Sequence, residues 1–237
     1  MGGRGMIEAV GVDADDTLWE NESFFRLTEA EFCALLAEHG EPDSIAARLF
    51  DVERANLERY GYGIKGFMLS MVETAVELTG GEVDGRTIGR ILELGRDMLA
   101  HPVDLLPGVG AALDALEGRR LLLITKGDLM DQERKIAASG LAERFESVEI
   151  LAEKSPESYG RVLWRHGIAP DAFLMAGNSM KSDVIPVLEL GGWGVFVPHE
   201  ATWAAERAEA PDHPRLRQIA RLDELPALLA RIEEGRP

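Results

Sequence analysis

Hydrophobic and polar positions divide the chain into stretches of different period. Residues 7–12 (IEAVGV) are a short apolar run that stops at the acidic string Asp13-Ala14-Asp15-Asp16. Such a run predicts a buried strand whose C-terminal end presents carboxylates. The chain then changes to a helical period. NESFFRLTEAEFCALLAEHG places Phe24, Leu27, Phe32, Leu35 and Leu36 at near-helical spacing and stops at Gly40. SIAARLFDVERANLERYG, IKGFMLSMVETAVELTGG and GRTIGRILELGRDMLAHP repeat the pattern, each closed by Gly or Pro. Four helices without an intervening strand predict a bundle-like insert.

From Leu105 helix and strand alternate. Strands are expected at 120–125, 147–151, 172–177 and 193–198. Helices are expected in GVGAALDALEG, LMDQERKIAASG, SPESYGRVLWRHG and SDVIPVLELGG, with a last one over 222–232. Alternation of this kind builds a doubly wound parallel sheet covered on both faces. The first strand belongs to that sheet, so the bundle interrupts one α/β domain. The expected organisation is a core of residues 1–19 and 104–237 with an all-α cap of residues 20–103.

Charge narrows the partners. Lys and Arg number 25 against 42 Asp and Glu, a formal charge of −17. Such a surface repels nucleic-acid backbones, so no nucleic-acid partner is expected. A phosphate site must then carry its own positive charge, from a metal, a lysine or backbone N–H groups. With hydrophobic residues at 46%, 237 residues can bury a sizeable core. The single cysteine, Cys33, excludes an internal disulfide and a cysteine cluster, and its apolar helical setting suits a core residue. Acid follows too soon after the N-terminus for a signal peptide, and no apolar run approaches a membrane span. A cytoplasmic protein with no membrane partner, monomer or homodimer, is the expectation.

Ligands of doubly wound sheets bind at the carboxyl ends of the strands. Strand one ends in Asp13 and Asp15, followed by Thr17. Strand two ends in Thr125-Lys126-Gly127-Asp128, strand three near Glu153-Lys154, and strand four in Gly177-Asn178-Ser179 with Asp183 beyond. These groups match what phosphoryl transfer requires. A carboxylate such as Asp13 can attack phosphorus without a base to activate it. Mg²⁺, held by Asp13 and Asp183, would cancel the repulsion between nucleophile and phosphate. Thr125 and Lys154 would bind the phosphate oxygens, with Lys126 beside them and the N–H groups of the helix after Gly127 pointing the same way. Asp15 sits close enough to protonate the leaving oxygen and later accept a proton from water.

These segments carry a resemblance. VDADDTLW, LLLITKGD, EKSPESY and AGNSMKSDV, in that order, resemble the four motifs of the haloacid dehalogenase superfamily, and with the cap they span essentially the whole chain. The resemblance implies a Rossmann-like core with a helical cap of the first class. It also implies Asp13 as nucleophile, Asp15 as acid/base, and Thr125 and Lys154 as phosphate binders. Magnesium ligands would be Asp13, Asp183 and the backbone carbonyl of Asp15. Two positions depart from the pattern: Asp16 stands where the family usually has Gly, and Asn178 replaces an Asp. An amide at 178 still offers a weak metal contact or orients a metal-bound water, so lowered metal affinity is expected.

Several features have plainer readings. Ser179 and Ser182 suit caps and turns, Asn178 is equally suited to cap a helix, and Trp164 and Trp193 suit the core. GYGIKG (61–66) has a dinucleotide-loop pattern but follows a helix rather than a strand, so it reads as a cap segment with Lys65 a candidate substrate contact. The leading expectation is a phosphatase for a small phosphorylated metabolite. The rivals are a 2-haloacid dehalogenase, which needs neither metal nor acid, and a non-catalytic binding module of the same fold. A phosphonate hydrolase, which would use a cap lysine, is more remote. Hinges near 20–22 and 102–107 would let the cap close.

Overall fold

The computed structural model describes residues 6–235. Its chain divides into two compact units. One holds the described residues up to Glu20, Val103–Lys126 and everything from Lys135 on; the other holds Asn21–Pro102 and Gly127–Arg134.

The first unit is built on six strands: β1 (Ala9–Val12), β2 (Arg120–Lys126), β3 (Ser147–Leu151), β4 (Phe173–Gly177), β5 (Trp193–Phe196) and β6 (Leu216–Gln218). All pair in parallel, in the order β3-β2-β1-β4-β5-β6. Alternate side chains leave opposite faces of a strand, and both faces here are apolar. Val10, Val12, Leu121, Leu123, Leu174 and Ala176 join one buried cluster. Helices α5 (Val109–Ala115) and α9 (Leu225–Glu233) join it through Leu113 and Leu229. Ala9, Leu122, Ile124, Phe173 and Met175 face the other way, onto Tyr159 and Val162 of α7 (Pro156–His166) and Val187 of α8 (Ile185–Glu189). This two-sided burial is why the strands read as continuous apolar runs. Val12 lies opposite Leu123 and Ala176, so β1 stops in the middle of the sheet, where a strand-end acid is flanked on both sides.

The second unit carries α1 (Glu22–Leu35), α2 (Pro42–Tyr60), α3 (Ile64–Leu78) and α4 (Gly85–Ala100). Phe32, Leu36, Ile45, Leu49, Phe67, Met71, Ile91 and Leu94 make its core. Asp84 caps α4 by accepting the Arg86 and Thr87 N–H groups. Lys65 contacts both oxygens of Asp128, at 2.9 and 3.0 Å, so its ammonium already has an acidic partner. Asp128 also accepts the Asp131 N–H at the start of α6 (Leu129–Ser139).

Four details differ from the sequence reading. Trp164 is 82% exposed on the outer side of α7, not in the core; its neighbours Val162 and Leu163 take the buried positions. Trp193 is only partly buried, its ring covered by the Arg215 and Arg217 guanidiniums. Strand β6 was not foreseen, because three residues with an arginine at their centre carry no apolar period. The helix after Ser179 opens as a π turn, Met180–Val184, before α8.

Candidate active site

The loops after β1 and β4, the two central strands, bring the acids together. Asp13 is held through its N–H on the Ala176 carbonyl at 2.9 Å. Its Oδ1 lies 2.5 Å from Lys154 Nζ, and the same nitrogen lies 2.6 Å from Asp183 Oδ1. Lys154 stands immediately before Ser155, which caps α7 in a reciprocal box with Ser158, with Pro156 opening the helix. That start fixes the lysine at the end of the third strand's connection. Asp183 Oδ2 accepts the Ser179 N–H at 2.9 Å, and its carboxylate packs where a Cβ on Gly177 would stand. Ser179 caps the π turn by accepting the Ser182 N–H. The cap is therefore Ser179 rather than Asn178.

All three charged groups are buried, with Asp13, Lys154 and Asp183 exposed by 6%, 4% and 1%. Burial first, and the Asp183 charge second, push the Asp13 carboxyl up to about 7, against the pull of Lys154. Burial would lower Lys154, but Asp13 and Asp183 outweigh it and hold the ammonium protonated well above its ordinary range. Two buried carboxylates thus share one cation. A further positive charge fits this arrangement, and hard carboxylate oxygens on a central sheet edge suit Mg²⁺.

The remaining sites from the sequence reading are nearby but differently engaged. Thr125 is buried near the end of β2, with Lys126 next to it. The Lys126 ammonium is drawn to Glu206 at 2.6 Å, Ser182 Oγ at 2.9 Å and Glu153 at 3.4 Å. Burial would raise the Glu206 carboxyl, but Lys126 and the hydroxyls of Ser179 and Ser182 outweigh it and hold it below its ordinary value. Asn178 donates its N–H to Thr17 Oγ1 at 3.1 Å. The Thr17 hydroxyl faces Asp13 Oδ2 at 3.0 Å and Asn178 Oδ1 at 3.4 Å. Asp15 is gripped by Lys135, whose Nζ lies 2.7 and 2.8 Å from its two oxygens, and by the Trp19 indole N–H at 2.7 Å.

Trp19, Lys135 and Glu206 thus belong to the neighbourhood without having been singled out, and Thr17, named at the end of the first strand, was given no role. Thr17 had a usable signal, its place in the first motif. Lys135 and Glu206 had none, since each meets its partner 120 and 80 residues away. Asp16 adopts φ +59°, a conformation natural to glycine that Asp also tolerates, which accounts for the departure at that position. Asp16, Glu20 and His199 offer ligand atoms within 4.8 Å of one another. His199 Nδ1 lies 3.3 Å from the Ala201 N–H and Nε2 lies 3.5 Å from Glu20, so the ring is already tied into that loop.

A family description, haloacid dehalogenase-like hydrolase, matches residues 7–191. The chain belongs to this family. Over 97% of its length this hydrolase superposes on a haloacid dehalogenase-like family hydrolase from Xanthomonas campestris. That likeness has a TM-score of 0.88 and 42% identity, and covers 93% of that chain. L-2-haloacid dehalogenase from Xanthobacter autotrophicus shares the fold at a TM-score of 0.64 and 22% identity, over 95% of this chain and 99% of that one. By sequence, the hydrolase is 25% identical to N-acylneuraminate-9-phosphatase of Mus musculus, over 98% of this chain and 97% of the relative. The Homo sapiens protein of that name is 24% identical over the same shares. No helix among the described residues is long and apolar enough to cross a membrane.

Proposed function

We propose that this hydrolase is a magnesium-dependent phosphatase that cleaves a small phosphomonoester through an aspartyl-phosphate on Asp13. The observation that carries the reading is Lys154 Nζ between Asp13 and Asp183, at 2.5 and 2.6 Å. A nucleophilic carboxylate, a second carboxylate and a permanently charged ammonium meet at one strand edge. Asp13, Asp183 and the backbone carbonyl of Asp15, with the Asn178 amide as a weaker contact, would hold Mg²⁺. When bound, the ion supplies positive charge that offsets the repulsion between carboxylate and phosphate.

This chain's own groups do the rest. An Asp13 oxygen attacks phosphorus, and the P–O bond to the leaving group breaks. Asp15 gives its proton to the departing oxygen, then takes one from the water that attacks the phosphoenzyme. Lys154 and Thr125 bind the equatorial oxygens. Lys126, next in sequence to Thr125, is already engaged by Glu206 and Ser182 and would reach a phosphate only by loosening that pair. The helical unit serves as the cap that selects substrate, which the fold alone does not specify. The acylneuraminate-9-phosphatase relatives favour an anionic sugar phosphate as the kind of substrate.

The test is phosphate release from a phosphomonoester panel with Mg²⁺, run beside 2-chloropropionate. Release that stops in EDTA and in Asp13→Asn is expected. Chloride release that persists in EDTA overturns the reading in favour of a dehalogenase, and silence on both panels favours a binding module.

A further inference from the structure

Directly after Asp13 the chain folds back around Asp15 in one tight turn, residues 14–19. The Thr17 and Leu18 N–H groups return to the Ala14 carbonyl, and the Asp16 N–H donates to the Trp19 carbonyl at 2.7 Å. This fold-back places the Trp19 ring, fully buried in the main core, against the Asp15 side chain. Ile136 of α6 enters the same core, and Lys135 before it is turned inward as well. The lysine is only 8% exposed. Its Nζ reaches both Asp15 oxygens, while the indole N–H shares Oδ1 with it. A lysine held on two oxygens and an aromatic donor held on one leave the carboxyl plane little freedom to rotate.

We infer that Lys135 is the positioning residue for Asp15. It fixes the carboxyl group in one orientation, the one from which Asp15 would reach the leaving oxygen. This deepens the phosphatase reading and rests on it. In the first half-reaction the P–O bond breaks, its electron pair goes to the leaving oxygen, and that oxygen takes the Asp15 proton. In the second, water gives a proton back to Asp15 as its oxygen attacks phosphorus and the Asp13–phosphorus bond breaks. An alkoxide is a poor leaving group and needs that proton, whereas a nitrophenolate leaves without it. The loss of Lys135 is therefore felt unequally by different substrates.

The experiment compares the parent enzyme with Lys135→Met, Lys135→Gln and Lys135→Arg on p-nitrophenyl phosphate and on a hexose 6-phosphate that the parent hydrolyses. With Met or Gln, kcat/KM for the sugar phosphate is expected to fall by about 30-fold or more, and that for the aryl phosphate by less than about threefold. Hydrolysis of the phosphoenzyme, which still needs a base, should slow enough to expose a burst of nitrophenolate near one equivalent per enzyme. Arg should restore most of the sugar-phosphate rate. The Gln variant, folded by circular dichroism, secures the comparison if Met unfolds the protein. Equal losses on both substrates with no burst, or no loss at all, overturn the inference while leaving the phosphatase reading intact. A parent inactive on every phosphomonoester sinks both.

Discussion

The Asp183 carboxylate rests directly over the α-carbon of Gly177, in space that any side chain at 177 would occupy. The glycine at the end of β4 therefore admits a buried acid to the site. Gly177→Ala forces that carboxylate away from Lys154. Overpacking of this kind costs about 1–3 kcal/mol, and phosphate release is expected to drop at least about tenfold. Chemical denaturation and the phosphate assay, run on the same preparation, check both figures; an unchanged rate would disconnect Asp183 from turnover.

Glu206 ties Lys126 to Ser179 and Ser182 through one buried carboxylate. Its ionisation is eased in the folded protein, so its stabilising share is complete above its ordinary value of 4.5 and is lost as pH falls through the lower folded value. Glu206→Gln is expected to cost about 1.5–3 kcal/mol at pH 7, with the difference from the parent shrinking in acid. Urea unfolding at pH 7 and near pH 4 measures it. A gap that widens in acid contradicts the assignment.

In the helical unit, burial and then the charge of Glu29 raise the Glu53 carboxyl to about 8 from 4.5. The sign is opposite to that of Glu206. A folded value above the unfolded one gives stability that is complete below 4.5 and drains away as pH climbs to about 8. One such group gives a slope of up to about 1.4 kcal/mol per pH unit across that window. Glu53→Gln should remove this slope and stabilise the protein at pH 8 relative to the parent. Melting temperatures across pH 5–8 (a range set by the Glu53 shift) decide, and parallel curves would rule the effect out.

Asp16 occupies the left-handed region at φ +59°. Asp16→Gly should leave stability within roughly 1 kcal/mol of the parent, whereas Asp16→Val, β-branched in that conformation, should lose about 1–2 kcal/mol more. Thermal denaturation of both variants tests the backbone explanation. Equal stabilities would show that side-chain contacts, not φ, govern this position.

The legibility of the chain differed between fold and site. Apolar runs such as LLLIT and AFLMAG are long enough to mark strands, because burial on both faces demands uninterrupted apolar side chains. Trp164 misled because an aromatic inside an amphipathic helix is read from its type, while its facing depends on a rotation of one residue. The place of Asp13, directly after β1, was readable, since a central parallel strand must release its chain at a sheet edge; Asp183 lies further on, in the π turn beyond β4. The partners of Asp15 and Lys126 were not readable.

By itself the sequence determined the periods, and with them the alternation of strands and helices, the inserted helical bundle and the placing of carboxylates at strand ends. Those follow from local geometry and from the need to bury apolar faces. Only the tertiary structure decided that Lys135, one of 25 lysines and arginines, holds Asp15, and that Glu206 takes Lys126. An ion pair between residues 120 or 80 positions apart leaves no periodic trace, because attraction between charges depends on distance in space and not on separation along the chain.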